Sequence, residues 1–201
     1  MIKAIIFDWG GVLIDNPAEE MMKYCAKELN VDLWLMKNVG SKYENDFQKG
    51  LIEENIMWKK ICDEMKVKTP ETKSLWKEGV GKVFTDRKEI FELAKTLRKK
   101  GYKIGFLSNT EIPSMEYFID NGYEKYFDAT VFSCHEKTIK PEEKIYRIAL
   151  EKLGTKPEQT IFIDDKIQYV DGAKRVGIKG ILYLNKAQLI ERLKGFSVKV
   201  D

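Results

Sequence analysis

The stretch IKAIIFDWGGV, residues 2–12, carries the strongest fold signal in the chain. Residues 2–7 form a short, mostly apolar run, which is typical of a strand that is buried on both faces of a sheet. Asp8 follows this run directly, and two glycines, Gly10 and Gly11, come next. Glycines let the backbone turn tightly, so that its amides can point at an anion. The stretch therefore predicts a buried strand that ends in a carboxylate and a tight turn.

Four further apolar runs are bounded by Gly, Asp, Asn or Ser and predict four more buried strands. These runs are residues 103–107, 129–132, 160–163 and 180–184. Helical patterns separate them, and this alternation is typical of an α/β fold with a doubly wound parallel sheet. One predicted helix begins with a capping box of Asp86 and Glu89 and ends at Gly101. A second opens at Pro141 and stops at Gly154.

Residues 17–84 interrupt the alternation, because they contain several helical patterns and no convincing strand. We therefore expect an all-helical cap domain at 17–84, inserted into an α/β core domain formed by 1–16 and 85–201. The aromatic residues of the insertion are either pocket residues or, as is commoner, the filling of a small helical core. They are Tyr24, Trp34, Tyr43, Phe47, Trp58 and Trp76.

The composition bounds the possible partners and the location. The chain has 201 residues, enough for one core domain with a small insertion. Its 35 basic and 32 acidic residues are interspersed, which argues against a nucleic-acid partner. No apolar stretch approaches the ~20 residues that span a membrane, and the chain enters a strand without a leader, so we expect a cytoplasmic protein. Three widely spaced cysteines predict reduced thiols. A monomer and a homodimer are both open.

Polar residues follow several predicted strands, at the edge where parallel sheets bind ligands. Ser108 and Asn109 follow the second strand, and Asp164 and Asp165 follow the fourth. Lys140 precedes the Pro141 helix. Each residue alone also fits a turn, a helix cap or a solvated surface charge. Their positions at successive strand ends favour one shared site for an anion and a hard cation.

Four motifs together resemble those of the haloacid dehalogenase-like (HAD) hydrolase superfamily, in its phosphatase branch with an inserted helical cap. The motifs are FDWGGVL (7–13), LSNT (107–110), IKPEEKIY (139–146) and FIDD (162–165). The resemblance implies a Rossmann-like core and a phosphatase for small phosphorylated metabolites. In such an enzyme Asp8 attacks phosphorus, and water hydrolyses the resulting aspartyl-phosphate.

The resemblance also implies a magnesium cofactor and a set of site residues. The expected magnesium ligands are the Asp8 carboxylate, the Gly10 carbonyl and Asp165. The expected contacts to the phosphoryl group are Lys140, Ser108 and Asn109, and Lys140 is also counted as catalytic with Asp8. Whether Asp164 is a further ligand stays open, because two adjacent carboxylates do not readily both point inward.

Two residues depart from the family pattern. Gly10 stands where most phosphatases of the superfamily have an acid/base Asp, so we expect substrates whose leaving group needs no proton, such as anomeric sugar, acyl or aryl phosphates. Asp15 is the nearest replacement acid, although a turn or hinge role fits it better. Tyr169 stands where the family commonly has an Asp or Asn that supports the metal, which predicts weaker metal binding.

Two other functions compete with a phosphatase. A 2-haloacid dehalogenase would use Asp8 on carbon without metal, but the Asp164–Asp165 pair would then have no purpose. A catalytically weak protein that binds a phosphorylated ligand or a partner would explain Gly10 and Tyr169. The lone histidine, His135, follows Cys134. Adjacent strand residues point to opposite faces, so the two form a poor thiol–imidazole pair, and we expect a loop histidine without a catalytic role.

Overall fold

The sheet has five parallel strands in the order β3-β2-β1-β4-β5 in the computed structural model, which describes residues 1–200. The strands are β1 (Ala4–Phe7), β2 (Lys103–Ser108), β3 (Ala129–Phe132), β4 (Thr160–Asp164) and β5 (Lys179–Leu182). Each lies where the sequence predicts a strand, with ends that shift by no more than two residues. The doubly wound α/β fold is therefore confirmed.

The helices within residues 1–200 lie between the strands and after the last one. They are α1 (Ala18–Glu28), α2 (Leu33–Gly40), α3 (Glu44–Gln48), α4 (Glu54–Met65), α5 (Leu75–Val83), α6 (Lys88–Lys99), α7 (Ile112–Asp120), α8 (Ser133–Glu136), α9 (Glu143–Leu153), α10 (Ile167–Arg175) and α11 (Lys186–Gly195). In this described part of the chain, no helix combines the length and the apolar content that crossing a bilayer requires.

Both faces of the sheet are covered by helices, which explains why the strands are apolar throughout. Side chains alternate between the faces along a strand. Ile5 and Phe7 therefore pack in one buried cluster with residues of α6, α7 and α11. Ala4 and Ile6 pack in a second cluster with residues of α9 and α10. Because β1 is buried from both sides at the centre of the sheet, the residue after it, Asp8, is held on a rigid support.

The predicted capping box at α6 is wrong. The helix begins at Lys88, and its N-cap residue, Arg87, makes no side-chain capping bond. Asp86 instead accepts a hydrogen bond of 2.9 Å from the hydroxyl of Tyr123. This tertiary contact competes with local capping and takes the carboxylate away from the helix. The predicted end is correct, since Gly101 has a positive φ of 89° just beyond the last turn.

The predicted start of α9 is two residues early. The helix begins at Glu143, with Glu142 as its N-cap residue. Pro141 lies in the turn before it, directly after Lys140. Gly154 ends the helix in the left-handed conformation, as the sequence predicts. The turn at Pro141 is therefore part of the segment that presents Lys140 to the sheet edge.

Helices α1 to α5 lie between β1 and β2 and pack around a hydrophobic cluster of their own. The chain enters the insertion after residues 13–15 and returns to the core at residues 85–87. These two chain crossings are hydrogen bonded to each other. The backbone N–H of Asp15 donates to Thr85 O at 2.9 Å, and that of Arg87 donates to Leu13 O at 2.8 Å. The crossings lie beside the predicted boundaries, and we retain 17–84 as the proposed cap domain.

Candidate active site

The ends of the neighbouring strands β1 and β4 bring two carboxylates together, and the turn before α9 adds a lysine. Phe7 is paired with Phe106 on one side and with Ile163 on the other, so β1, β2 and β4 end at the same level. The Nζ atom of Lys140 lies 2.7 Å from Asp8 Oδ1 and 2.6 Å from Asp164 Oδ2. The Lys140 side chain is 1% exposed. Residues far apart in sequence therefore share one buried ionic contact.

Three carboxylates lie at the same place. Asp8, Asp164 and Asp165 each offer an oxygen, and these oxygens all lie within 4.8 Å of one another. The expectation that the adjacent pair does not readily point inward together is therefore wrong. Asp164 is the last residue of β4, and Asp165 already belongs to the turn that leads to α10. The chain changes direction between them, and both carboxylates face the cluster.

The cluster fits a divalent cation. Three carboxylates and the Lys140 ammonium group carry a formal charge of −2, which one Mg²⁺ ion would balance. Asp165 Oδ1 is buried and has no hydrogen-bond partner among the described residues, as expected for an atom reserved for a ligand. Carboxylate oxygens are the ligands that Mg²⁺ prefers. Gly10 borders the same cavity, and its carbonyl as a ligand stays a prediction.

The pKa values of the cluster reflect burial and repulsion between its carboxylates. Burial and the neighbouring Asp8 raise the pKa of Asp164 to about 7, although Lys140 opposes them. Burial and Asp8 likewise raise the pKa of Asp165. For Lys140, burial alone would lower the pKa, but Asp164 and Asp8 outweigh it and raise the pKa above its ordinary value. The lysine is therefore charged, while the carboxylates lack sufficient positive charge around them.

Asn109 holds the backbone of Lys140. The backbone N–H of Lys140 donates to Asn109 Oδ1 at 2.7 Å, and Asn109 Nδ2 donates to Lys140 O at 3.1 Å. Both polar atoms of the amide group thus hold the backbone of Lys140. Asn109 also lines the cavity, and its contact with a phosphoryl group stays a prediction. Ser108, by contrast, is buried beside the cavity, and its Oγ makes only a long bond of 3.4 Å to Asn109 O. The Ser108 hydroxyl is free to contact a phosphoryl oxygen.

Tyr169 supplies an aromatic ring where the family pattern has a carboxylate or an amide. The ring centre lies 4.8 Å from Lys140 Nζ, a distance suited to a cation–π contact. The Tyr169 hydroxyl lies 3.4 Å from Asn109 Nδ2. Tyr169 therefore packs against the lysine and Asn109, and it adds no charge to the acidic cluster.

A cavity of about 340 Å³ extends from the cluster into the helical insertion. Phe47, Trp58 and Trp76 line it, whereas Tyr24, Trp34 and Tyr43 do not. Trp34 is 72% exposed. Sequence alone could not separate these groups, because all six aromatics occur in similar helical patterns. The three lining residues also belong to the hydrophobic cluster of the insertion, so pocket and core share side chains there.

Three residues considered from the sequence lie outside this cavity. Asp15 forms an ion pair of 2.9 Å with Arg87 at the chain crossing, a position that suits a hinge. His135 lies in the short helix α8 and not in a loop, and it is exposed. Burial raises the pKa of Cys134 to about 12, so this thiol stays protonated. These placements leave Asp8 as the candidate nucleophile.

A family model described as a haloacid dehalogenase-like hydrolase matches residues 2–177. The chain belongs to the haloacid dehalogenase-like hydrolase family. The family predicted from the four motifs is thereby confirmed. A sesquiterpene phosphatase of Aspergillus oryzae is 26% identical to this HAD-like hydrolase over 184 residues, which cover 89% of this chain and 88% of that protein. A phosphorylated carbohydrates phosphatase of Thermotoga maritima is 24% identical over 192 residues, with 90% and 84% covered.

Solved structures of a HAD family enzyme from Bacteroides thetaiotaomicron are also similar to this hydrolase. One superimposes with a TM-score of 0.77 at 26% identity and covers 92% of this chain and 94% of that chain. Another, of the wild-type enzyme in complex with magnesium and inorganic phosphate, has a TM-score of 0.72 at 25% identity, with 93% and 96% covered. The fold that surrounds the acidic cluster is thus one in which a relative binds both ions.

Gly11 and Asn16 support the acidic cluster of this HAD-like hydrolase through contacts with Asp165 that the sequence does not indicate. Gly11 has a φ of 81°, and a Cβ atom there would overlap the carboxylate of Asp165. Asn16 Nδ2 donates to Asp165 Oδ2 at 3.2 Å. Its own Oδ1 accepts from the N–H of Ala18 at 3.1 Å, at the start of α1. Asn16 therefore connects the acidic cluster with the first helix of the insertion.

We expect Gly11→Ala to weaken Mg²⁺ binding by on the order of 10- to 100-fold, the range seen when residues that orient metal ligands are changed. The new methyl group displaces Asp165, and the positive φ adds strain. Titration of the Mg²⁺-dependent rise in melting temperature measures the effect. Gly101→Ala is the matched control, since Gly101 has a φ of 89° but open space around it. Equal Mg²⁺ affinity in both variants would contradict this role of Gly11.

Glu111 is a buried carboxyl group between the core and the insertion. It follows the LSNT motif, lines the cavity and accepts a hydrogen bond of 3.0 Å from Ser114 Oγ. Trp76 Nε1, from α5 of the insertion, donates to the same Ser114 Oγ at 3.0 Å. Burial is the main cause that raises the pKa of Glu111. The group is thus pushed toward its neutral form, in which it joins two parts of the chain without a buried charge.

Glu111→Gln is expected to raise the melting temperature at pH 8 and to leave it unchanged near pH 4. The pKa of Glu111 is raised from 4.5 in the folded protein, so folding favours proton uptake. The protonated group therefore costs nothing at low pH, and the wild type loses stability as pH rises above 4.5. Gln is neutral at every pH and of nearly the same shape. Thermal unfolding at both pH values provides the measurement, and an equal difference at both would contradict the burial of an ionisable Glu111.

Proposed function

We propose that this hydrolase is a Mg²⁺-dependent phosphatase that cleaves a small phosphorylated metabolite through an aspartyl-phosphate on Asp8. The observation that carries the proposal is the buried contact of Lys140 with Asp8 and Asp164, in a cluster of charge −2 that opens on a cavity. The named phosphatases among its relatives support the same reaction class.

In the first step an oxygen of Asp8 attacks phosphorus and forms a P–O bond. The bond between phosphorus and the ester oxygen breaks, and the alcohol half leaves with that electron pair and takes a proton from water. Lys140 and the Ser108 hydroxyl are placed to bind the phosphoryl oxygens, on which negative charge is spread in the transition state. When bound, Mg²⁺ supplies positive charge that offsets the repulsion between Asp8 and the phosphate dianion.

In the second step water attacks the phosphorus of the aspartyl-phosphate. The bond from phosphorus to Asp8 breaks, the carboxylate is restored, and inorganic phosphate leaves with the elements of water. Asn109 contributes by holding Lys140, whose charge stabilises both steps. At Gly10 no side chain is available to protonate the leaving group, which supports the preference for aryl, acyl and anomeric phosphates.

Hydrolysis of p-nitrophenyl phosphate with Mg²⁺, with excess EDTA and after Mg²⁺ is restored tests this function. We expect turnover that is lost with EDTA and recovered with Mg²⁺. We also expect Mg²⁺ to raise the melting temperature of the wild type, because a ligand that binds only the folded state stabilises it. Asp165→Asn should reduce this shift, which provides a readout of metal binding that is independent of activity.

Two outcomes would overturn the proposal. Release of halide from 2-chloropropionate without metal would favour a dehalogenase. A protein that binds Mg²⁺ and inorganic phosphate but turns over no phosphate ester would favour a binding protein that has lost catalysis.

A further inference from the structure

The cavity has two chemically different ends. One end holds the groups proposed for catalysis, including Asp8, Ser108 and Lys140. The other end lies among the helices of the insertion, where Met21, Met36, Met57, Phe47, Trp58 and Ile61 are all buried and line the wall. A volume of about 340 Å³ is within the range of small-molecule pockets. An occupant that spans the cavity must therefore be polar at one end and apolar at the other.

The polar donors on the insertion side have hydrogen-bond partners: Ser41 Oγ donates to Asn38 O and Gln48 Nε2 donates to Glu44 Oε1, and both indole N–H groups are bound as well. Trp58 Nε1 donates to Glu54 Oε1 at 2.9 Å, and Trp76 Nε1 donates to Ser114 Oγ at 3.0 Å. The indole rings therefore offer apolar surface to the cavity. The hydroxyl groups of a sugar would lose water there without gaining partners, which is costly. An apolar group meets no such penalty.

The charged residues near this end do not change its character. Lys37 is paired with Glu19, and Glu44 is exposed at the rim. Glu111 is buried, and its raised pKa favours the uncharged form. The flexible methionine side chains can adapt to the shape of an apolar occupant. Apart from the catalytic end, the described wall is thus suited to carbon and not to hydroxyl groups.

We propose that the substrate is a phosphate monoester whose leaving group is one bulky apolar aryl group, held between the methionine-lined insertion and Asp8. This inference rests on the proposed phosphatase function and narrows it. The missing acid at Gly10 alone would also allow anomeric sugar phosphates as substrates. The apolar wall excludes them. The phosphate group is common to all phosphorylated metabolites and does not distinguish them. Burial of the apolar half supplies the binding energy that does.

A series of 4-n-alkylphenyl phosphates, from 4-methylphenyl to 4-hexylphenyl, tests the inference in the wild type. The leaving-group pKa is nearly constant across the series, so changes in kcat/KM report the apolar contact. We expect kcat/KM to rise about threefold to fourfold per methylene group, the factor for burial of one CH2, until the cavity is full. Glucose 1-phosphate, an anomeric phosphate that also needs no acid, should be a poorer substrate than 4-butylphenyl phosphate.

Two variants test whether the methionine-lined wall contacts the apolar group of the substrate. Met36→Gln places a polar group of similar size in the wall and should lower kcat/KM for 4-hexylphenyl phosphate about tenfold, and for 4-methylphenyl phosphate by a smaller factor. Met65→Gln is the matched control, because Met65 is a buried methionine of the same hydrophobic cluster that does not line the cavity. Equal effects of both variants on 4-hexylphenyl phosphate would overturn the assignment of the wall.

The outcomes separate the two proposals. If p-nitrophenyl phosphate is hydrolysed but kcat/KM is flat along the alkylphenyl series, or glucose 1-phosphate is preferred, the apolar substrate class is wrong and the phosphatase function stands. If no phosphate ester is hydrolysed, the proposed function itself fails. The rise in melting temperature caused by n-alkyl phosphonates, which cannot be hydrolysed, then still reports whether the apolar end binds chains of increasing length.

Discussion

Asp8→Asn is expected to abolish turnover, with a loss on the order of 10⁴-fold or more, as when the nucleophile of a covalent mechanism is removed. The amide cannot form the acyl-phosphate bond. The fold should persist, because the substituted amide keeps the shape of the side chain and relieves the repulsion that Asp8 exerts on Asp164 and Asp165. Rates with p-nitrophenyl phosphate and thermal unfolding, both measured with Mg²⁺, provide the comparison.

Asp15→Asn is the matched control for that substitution. It removes a carboxylate near the same turn, but Asp15 pairs with Arg87 and lies outside the cavity. Its activity should stay within about threefold of the wild type, since an exposed ion pair contributes less than about 1 kcal/mol. A large loss of activity in Asp15→Asn together with a small loss in Asp8→Asn would contradict the assignment of the nucleophile to Asp8.

Lys140→Met should both inactivate the enzyme and destabilise it by about 3–5 kcal/mol, the usual cost of removing one partner from a buried ion pair. Asp8 and Asp164 would then be buried without compensating charge. The loss should shrink at low pH, because protonation of the carboxylates removes the uncompensated charge. Denaturant unfolding at pH 5 and pH 8, without metal, measures both the size and the direction of this effect.

Lys140→Arg separates charge from shape. The guanidinium group restores the positive charge, so the free energy of unfolding should recover in part. Its planar, larger head cannot take the place of a compact ammonium group between two carboxylates and the ring of Tyr169, so activity should stay low. If Lys140→Met is as stable as the wild type at pH 8, the buried ion pair is not the feature that holds the strand ends together.

The parts of the site that the sequence predicts are those placed by strand geometry. A parallel sheet aligns the ends of its strands, so Asp8, Ser108 and Asp164 could be brought together from the positions of apolar runs alone. Lys140 needed the family motif as well, because a lysine before a proline is usually a surface charge. The structure buries it, with 1% of its side chain exposed.

The parts that sequence could not predict depend on tertiary contacts. Asn109 is bound to the backbone of Lys140, which lies 31 residues further along the chain, and nothing local indicates that pairing. Asp86 has a capping pattern, but the hydroxyl of Tyr123 takes its carboxylate. Glu111 looks like a surface residue until the insertion covers it. In each case a distant partner decides the role, and the local pattern does not contain that partner.

Identification of the phosphorylated residue tests the account most directly. The enzyme is mixed with p-nitrophenyl phosphate and Mg²⁺ and quenched in acid, and the intermediate is reduced with borohydride, which converts an aspartyl-phosphate to homoserine. Peptide mass spectrometry then locates the homoserine. We predict homoserine at position 8 in the wild type and none in Asp8→Asn. Homoserine at another carboxylate, or continued turnover by Asp8→Asn, would contradict the central claim that Asp8 carries the phosphoryl group.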